Sequence, residues 1–264
     1  MSEVSEINDK TIKENDIVIA TDEKSPILYV VNKVTGKRAK IIGVYYRVKR
    51  EVDVSVLRHA SDTEKSLEKR KSEKYQYKLA SLRKGLSKKY VLGKVLHIDG
   101  DRSYLNKCLE LYNEVGIYAY GVMMEEEKIT HNINNYIYEI NPDIIVLTGH
   151  DYYNGKGLKD LENYVNSKYF ANAIKEIRKI DKSVVIVAGA CMSNFEALIA
   201  SGADFASSPK RINIHTYDPA VIAIKIATTS FLKVVNIENI YKYIEDGENA
   251  FNGLETLGKM RLLL

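Results

Sequence analysis

The chain has no tryptophan and only two cysteines, Cys108 and Cys191, in 264 residues. The missing tryptophan excludes nothing by itself. Two thiols cannot build a disulfide framework, so the pattern fits a reducing compartment. Long apolar runs are also lacking. The longest fall far short of the roughly 20 residues that a membrane-spanning helix needs, so no span is expected. The first residues, Met1-Ser-Glu-Val-Ser-Glu6, are polar and acidic. They have neither the basic start nor the apolar stretch of a secretory leader, and none is expected. A strong excess of one charge is absent too. The net value of +4 is too small to call for a nucleic-acid partner. No His/Cys/Asp cluster has metal-ligand spacing, and no metal or other cofactor is expected.

What is there suffices for folding. Hydrophobic residues make up 45% of the chain, an ordinary share for a globular protein. The length allows one large domain, or a large one with a small one. Residues 10–60 read as a small β-rich domain. Asp16–Ala20, Ile27–Val31 and Ala39–Tyr46 have strand composition, Thr35-Gly36 marks a turn, and Asp53–Leu57 supplies a last strand. A strongly bent, SH3-like antiparallel barrel is predicted. Residues 61–90 are crowded with Lys65, Lys69, Arg70, Lys71, Lys74, Lys78, Arg83, Lys84, Lys88 and Lys89. Helical spacing of Leu67, Tyr75, Leu79 and Leu82 is weak. This stretch reads as a solvated, partly helical linker rather than a nucleic-acid-binding stripe, and as an easy site for proteolysis.

Residues 91–264 alternate strands and helices, which predicts a mostly parallel sheet with helices on both faces. Strands are expected at Lys94–Ile98, Ile117–Val122, Asp143–Thr148, Ser183–Ala188 and Ala203–Ser207. Asp101 is placed to cap a helix that Gly116 ends. Asn141-Pro142 closes a second helix, and a third is expected over roughly 160–180. A short one follows Cys191, and Asp218-Pro219 opens another.

Two of these strands run through a Gly into a reactive residue. Asp143-Ile-Ile-Val-Leu-Thr-Gly-His150 ends on an imidazole, and Ser183-Val-Val-Ile-Val-Ala-Gly-Ala-Cys191 ends on a thiol. The carboxyl edge of such a sheet is where ligands bind. Cys191 there is either a buried structural thiol or a nucleophile. The start of the helix after it would lower its pKa and favour the nucleophile. His150, if its strand adjoins that of Cys191, is the candidate general base. The amides of Cys191 and Asp151 are candidate oxyanion donors, exposed by turns at Gly149 and Gly189. Asp99 and Asp101 follow the first strand, which adjoins the His150 strand in a sheet ordered 2-1-3-4-5. They either receive a basic substrate side chain or shape the turn and cap the helix. Cys108 lies on an apolar helical face and reads as core. His97 reads as a satisfied core histidine, and His215 competes with His150.

The order of His150 and Cys191 on successive apolar strands resembles the caspase–gingipain–legumain–clostripain group of cysteine proteases. That group usually carries Gly after the His, where this chain has Asp151. Gly93–Asp101, Pro142–Asp151, Ala188–Ser193 and Gly202–His215 resemble the YabG sporulation-specific protease family. The resemblance implies a caspase-like peptidase domain with His150 as base and Cys191 as nucleophile. It also implies cleavage of spore coat and cortex-related proteins, with Arg or Lys before the cut. The implied location is the cytoplasm of the sporulating cell, at the developing coat. Two other readings stay open. Gly189-Ala-Cys191-Met-Ser193 is close to the nucleophile elbow of a class-I-amidotransferase-like hydrolase, which would pair Cys191 with His215. The small β domain and the basic stretch would instead suit a non-enzymatic binding module.

Overall fold

The computed structural model describes residues 11–23, 25–82 and 89–263. The acidic start of the chain, residue 10 at the edge of the expected β domain, and Arg83, Lys84 and Lys88 of the basic stretch lie outside them. The chain divides into two units. One holds residues up to Tyr45 together with Lys49–Lys71; the other holds Tyr46–Val48 and Ser72–Leu264.

The first unit is an antiparallel sheet of β1 (Ile17–Ala20), β2 (Tyr29–Thr35), β3 (Arg38–Gly43), β4 (Lys49–Asp53) and β5 (Leu57–His59). Its order is β4-β3-β2-β1-β5. Gly36, with φ +58°, makes the tight turn between β2 and β3. The ladder ends at β4 and β5, which are not paired with each other, so the expected barrel is here an antiparallel sheet. Ile19, Leu28 and Ala60 form its small core. Helix α1 (Asp62–Ala80) opens in this unit and continues into the second. The expected linker is therefore helical over most of its described length. Its charged faces are exposed, and Tyr75 and Leu79 are buried.

The second unit continues with β6 (Tyr90–Val91), β7 (Val95–Asp99), α2 (Arg102–Val115), β8 (Ala119–Met123) and α3 (Glu126–Ile140). Next come β9 (Ile144–Thr148), α4 (Ser167–Ile180), β10 (Val185–Ala188), α5 (Phe195–Ala200) and β11 (Phe205–Ser207). The chain closes with α6 (Asp218–Thr228), α7 (Ile237–Tyr241), β12 (Phe251–Gly253) and β13 (Arg261–Leu262). The main sheet runs β8-β7-β9-β10-β11-β12. Its first five strands are parallel in the expected 2-1-3-4-5 order, and β12 adds an antiparallel edge. β6 and β13 form a separate two-stranded ribbon.

The central strands are apolar throughout because both faces are covered. On one face Ile129, Ile133 and Ile137 of α3 meet Phe170, Ile174 and Ile177 of α4 over Leu96, Ile145, Leu147 and Ile186. Helices α2 and α6 pack together against the sheet as well. Asp101 caps α2 by accepting from the amides of Ser103 and Tyr104, and Gly116 ends it at φ +83°. No helix among the described residues is long and apolar enough to cross a membrane.

Candidate active site

β9 and β10 are neighbouring parallel strands with Leu147 opposite Ala188. His150 and Cys191 each follow that pair by three positions, so both leave the sheet at one carboxyl edge. On the other side of β9, Asp99 of β7 lies opposite Thr148. Asp99, His150 and Cys191 therefore end or follow three adjacent strands.

Two turns at this edge depend on glycine and on a residue the sequence did not flag. Glu126, in the first turn of α3, accepts the His150 amide with its Oε1 at 2.7 Å. A Cβ on Gly149 would stand 2.1 Å from that oxygen, and one on Gly100 2.2 Å from it. The missing side chains admit the carboxylate, which then fixes the backbone at His150. His150 Nε2 lies 3.3 Å from Asp101 Oδ2. The ring meets Tyr104 edge-on, with centroids 5.9 Å apart. His150 Nδ1 is buried and has no hydrogen-bond partner among the described residues. Asp101 thus serves twice: Oδ1 caps α2 at 2.7 Å from the Ser103 amide, and Oδ2 faces the imidazole.

Asp151 follows His150 in the same loop. Its carboxylate accepts from the Asn166 amide at 2.8 Å, from Ser167 Oγ and from Ser193 Oγ at 3.0 Å. Ser193 Oγ in turn accepts the Ala190 amide at 2.9 Å. One buried carboxylate ties together the loop after β9, the start of α4 and the turn around Cys191. Burial raises its pKa, and these hydrogen bonds offset part of the rise.

The Cys191 turn needs Gly189 at φ +110°, where a Cβ would lie 2.3 Å from Ser207 Oγ. Met192 follows at φ +59°. Cys191 is 1% exposed. Its Sγ donates to the Arg47 carbonyl at 3.1 Å and accepts the Ile214 amide at 3.3 Å. The sequence led us to expect a helix start that lowers the thiol pKa. Instead α5 begins at Phe195 under an Asn194 cap. Burial pushes the Cys191 thiol up to about 12, against the Ile214 amide and the Arg47 guanidinium. Cys108 is core, as its helical face implied. Its Sγ faces the Thr216 carbonyl at 3.4 Å, and burial also pushes it up to about 12.

The Arg47 guanidinium is fully buried and pairs with Asp99, itself fully buried. Thr148 Oγ1 donates to the same carboxylate at 2.9 Å, and the Asp101 amide does so at 2.8 Å. Arg47 Nη1 donates to the Thr216 carbonyl at 3.3 Å, and the guanidinium lies 5.0 Å from the Tyr104 ring centroid. The Arg47 guanidinium, with help from His97, holds the Asp99 pKa well below the carboxylate range against its burial. Asp99 thus receives a basic side chain, and that side chain belongs to its own chain. Arg47 was invisible to sequence reasoning because no local pattern links it to a strand end 52 positions away.

His97 is buried inside β7, 3.0 Å from Tyr112 Oη and 2.8 Å from Thr148 Oγ1. His215 lies against Tyr75, with ring centroids 4.0 Å apart, and its Nδ1 accepts the Tyr217 amide at 3.4 Å. Burial pushes its pKa down to about 3, with help from Lys107 and Arg47. Contacts run from Cys191 through Arg47 and Tyr104 to His150 and Asp101.

Comparison with known proteins places the chain. No solved structure matches it. The "Sporulation-specific protease YabG" of Bacillus subtilis (strain 168) is 43% identical over 176 residues, a match spanning 64% of this chain and 60% of that relative. A family model described as YabG peptidase U57 matches residues 13–264. The chain belongs to the YabG peptidase U57 family.

Proposed function

We propose that this protein is a sporulation-associated cysteine endopeptidase of caspase-like type, with Cys191 as nucleophile and His150 as general base. The observation that carries this reading is the register of β9 and β10, which puts both residues three positions beyond one pair at one sheet edge. The order of the parallel strands supports the caspase-like assignment.

In the proposed reaction His150 takes the thiol proton, and Cys191 attacks the carbonyl of the scissile peptide bond. Nδ1, unpartnered among the described residues, suits it to that exchange, because Nε2 already faces Asp101. Asp101 is then a positioning residue rather than a receiver of substrate. The amides of Cys191 and Asp151 hold the oxyanion. His150 protonates the leaving amine, a thioester remains on Cys191, and water hydrolyses it. Asp99 receives the Arg or Lys before the cut. Its pairing with Arg47 supports that role, since a planar guanidinium and a carboxylate match well. We assign spore coat and cortex-related proteins as substrates, cut in the sporulating cell at the developing coat.

An arginine-based peptidyl chloromethyl ketone tests the assignment. Peptide mapping should find the adduct on Cys191, with activity falling as labelling rises and no labelling of His150→Ala. Full inactivation with Cys191 unmodified would refute the proposal.

A further inference from the structure

We infer that the Asp151 carboxylate is a positioning group for the oxyanion site, holding through Ser193 the two turns that carry the Asp151 and Cys191 amides. The inference rests on the peptidase reading above and adds to it the side chains that aim the donors.

An oxyanion site needs donors that are idle in the resting protein and fixed before charge develops. The backbone of both turns meets the first demand. On the first turn, Glu126 Oε1 takes the His150 amide at 2.7 Å, and Asp151 Oδ1 takes the Tyr152 amide at 2.9 Å. On the second, Ser193 Oγ takes the Ala190 amide at 2.9 Å, and the Ile212 carbonyl takes the Met192 amide at 3.1 Å. The amides in between, those of Asp151 and Cys191, have no acceptor among the described residues. Both residues are buried, and buried amides are nearly always paired. Two idle donors, one on each turn, mark a place for an acceptor that the chain itself does not supply.

One carboxylate meets the second demand. Asp151 Oδ2 accepts from Ser193 Oγ at 3.0 Å and from Ser167 Oγ. Ser193 extends that hold to the Ala190 amide, one residue before Cys191. Ser167 extends it to the Asn194 amide at 2.8 Å, beyond the same turn. Oδ1 meanwhile accepts the Tyr152 and Asn166 amides, at 2.9 and 2.8 Å. The Cys191 turn is therefore gripped on both flanks by the residue whose own amide is the other donor.

A carboxylate suits this task. It only accepts, so it draws four donors onto one side chain. Hydrogen bonds to a charged acceptor are also the shorter and stronger kind. A plain loop brace would account for the carboxylate but not for the idle amides.

Full-length wild type, Ser193→Ala and Asp151→Asn should be compared, each shown to be folded by its urea midpoint. Three quantities are read: kcat and KM on an arginine-containing peptide, the affinity of an arginine-based peptidyl aldehyde, and the rate at which iodoacetamide alkylates Cys191. The aldehyde adds to the thiol and places an oxyanion in the site, whereas alkylation builds none. We expect a displaced donor to lower kcat by up to about 10²-fold in each variant, with KM nearly unchanged. Aldehyde affinity should fall by the same factor while the alkylation rate holds. Wild-type kcat and aldehyde affinity in either variant would overturn the inference and leave the peptidase reading intact. A loss of alkylation equal to that of kcat would overturn it too, by assigning the fault to the thiol. If neither variant folds, NMR of isotope-labelled wild type decides. The aldehyde should shift the Asp151 and Cys191 amide resonances more than those of Tyr152 and Ala190, and the reverse would overturn the inference. Wild type that neither cuts the peptide nor binds the aldehyde would instead sink the peptidase reading.

Discussion

The imidazole of His215 packs at a tilt against Tyr75, and the His215 backbone amide donates to Asp218 Oδ2 at 2.9 Å. Dehydration pushes its pKa down to about 3. Between that value and the ordinary 6.5 the unfolded chain binds a proton that the folded imidazole refuses. Stability from this residue is therefore present above pH 6.5 and lost as pH falls toward 3. Asp218 works the other way. Burial pushes its carboxyl up to about 7, so it favours the folded state as pH falls below that value. His215→Phe keeps an aromatic ring and removes only the first effect. It should gain up to about 2 kcal/mol relative to wild type between pH 7 and pH 5, read from urea midpoints. Equal losses in both proteins would show that His215 titrates normally. At this scale the sequence was legible where a residue's place on its own element decides its fate. Cys108 and His97 lie on core-facing positions and are core residues. Arg47, Glu126 and the brace made by Asp151 were not legible, because each acts on partners brought near only by the tertiary fold.

Helix α2 and the turn after β9 meet at the Asp101 carboxylate, where the helix cap and the contact with His150 share a side chain. Asparagine caps a helix about as well as aspartate. Asp101→Asn should therefore unfold within about 1 kcal/mol of wild type, yet lose kcat by up to about 10²-fold with KM nearly unchanged. Asp101→Ala should lose both stability and kcat. If Asp101→Asn kept full kcat, the residue would be a cap only. Several element ends were readable in advance. The cap at Asp101, the stop at Gly116 and the opening of α6 at Asp218-Pro219 follow from local chemistry. The start of α5 was not. Cys191 to Asn194 form a turn held by Ser193 and Asp151, and that turn delays the helix to Phe195.

Across the whole molecule, alternating apolar strands and amphipathic helices fixed the parallel sheet and its order, because right-handed crossovers leave few arrangements. Closure of the N-terminal strands into a barrel did not follow from their composition, since β4–β5 pairing depends on register rather than residue type. The family match spans nearly all of the described chain, while the characterised relative aligns over part of its length. The chemistry therefore has to be tested on this protein itself. The decisive measurement is kcat/KM on an arginine-containing peptide for wild type, Cys191→Ala and His150→Ala, each shown to be folded by its unfolding midpoint. The account predicts that Cys191→Ala falls to background. It predicts that His150→Ala loses on the order of 10²–10⁴-fold. Activity near wild type in either variant would contradict it.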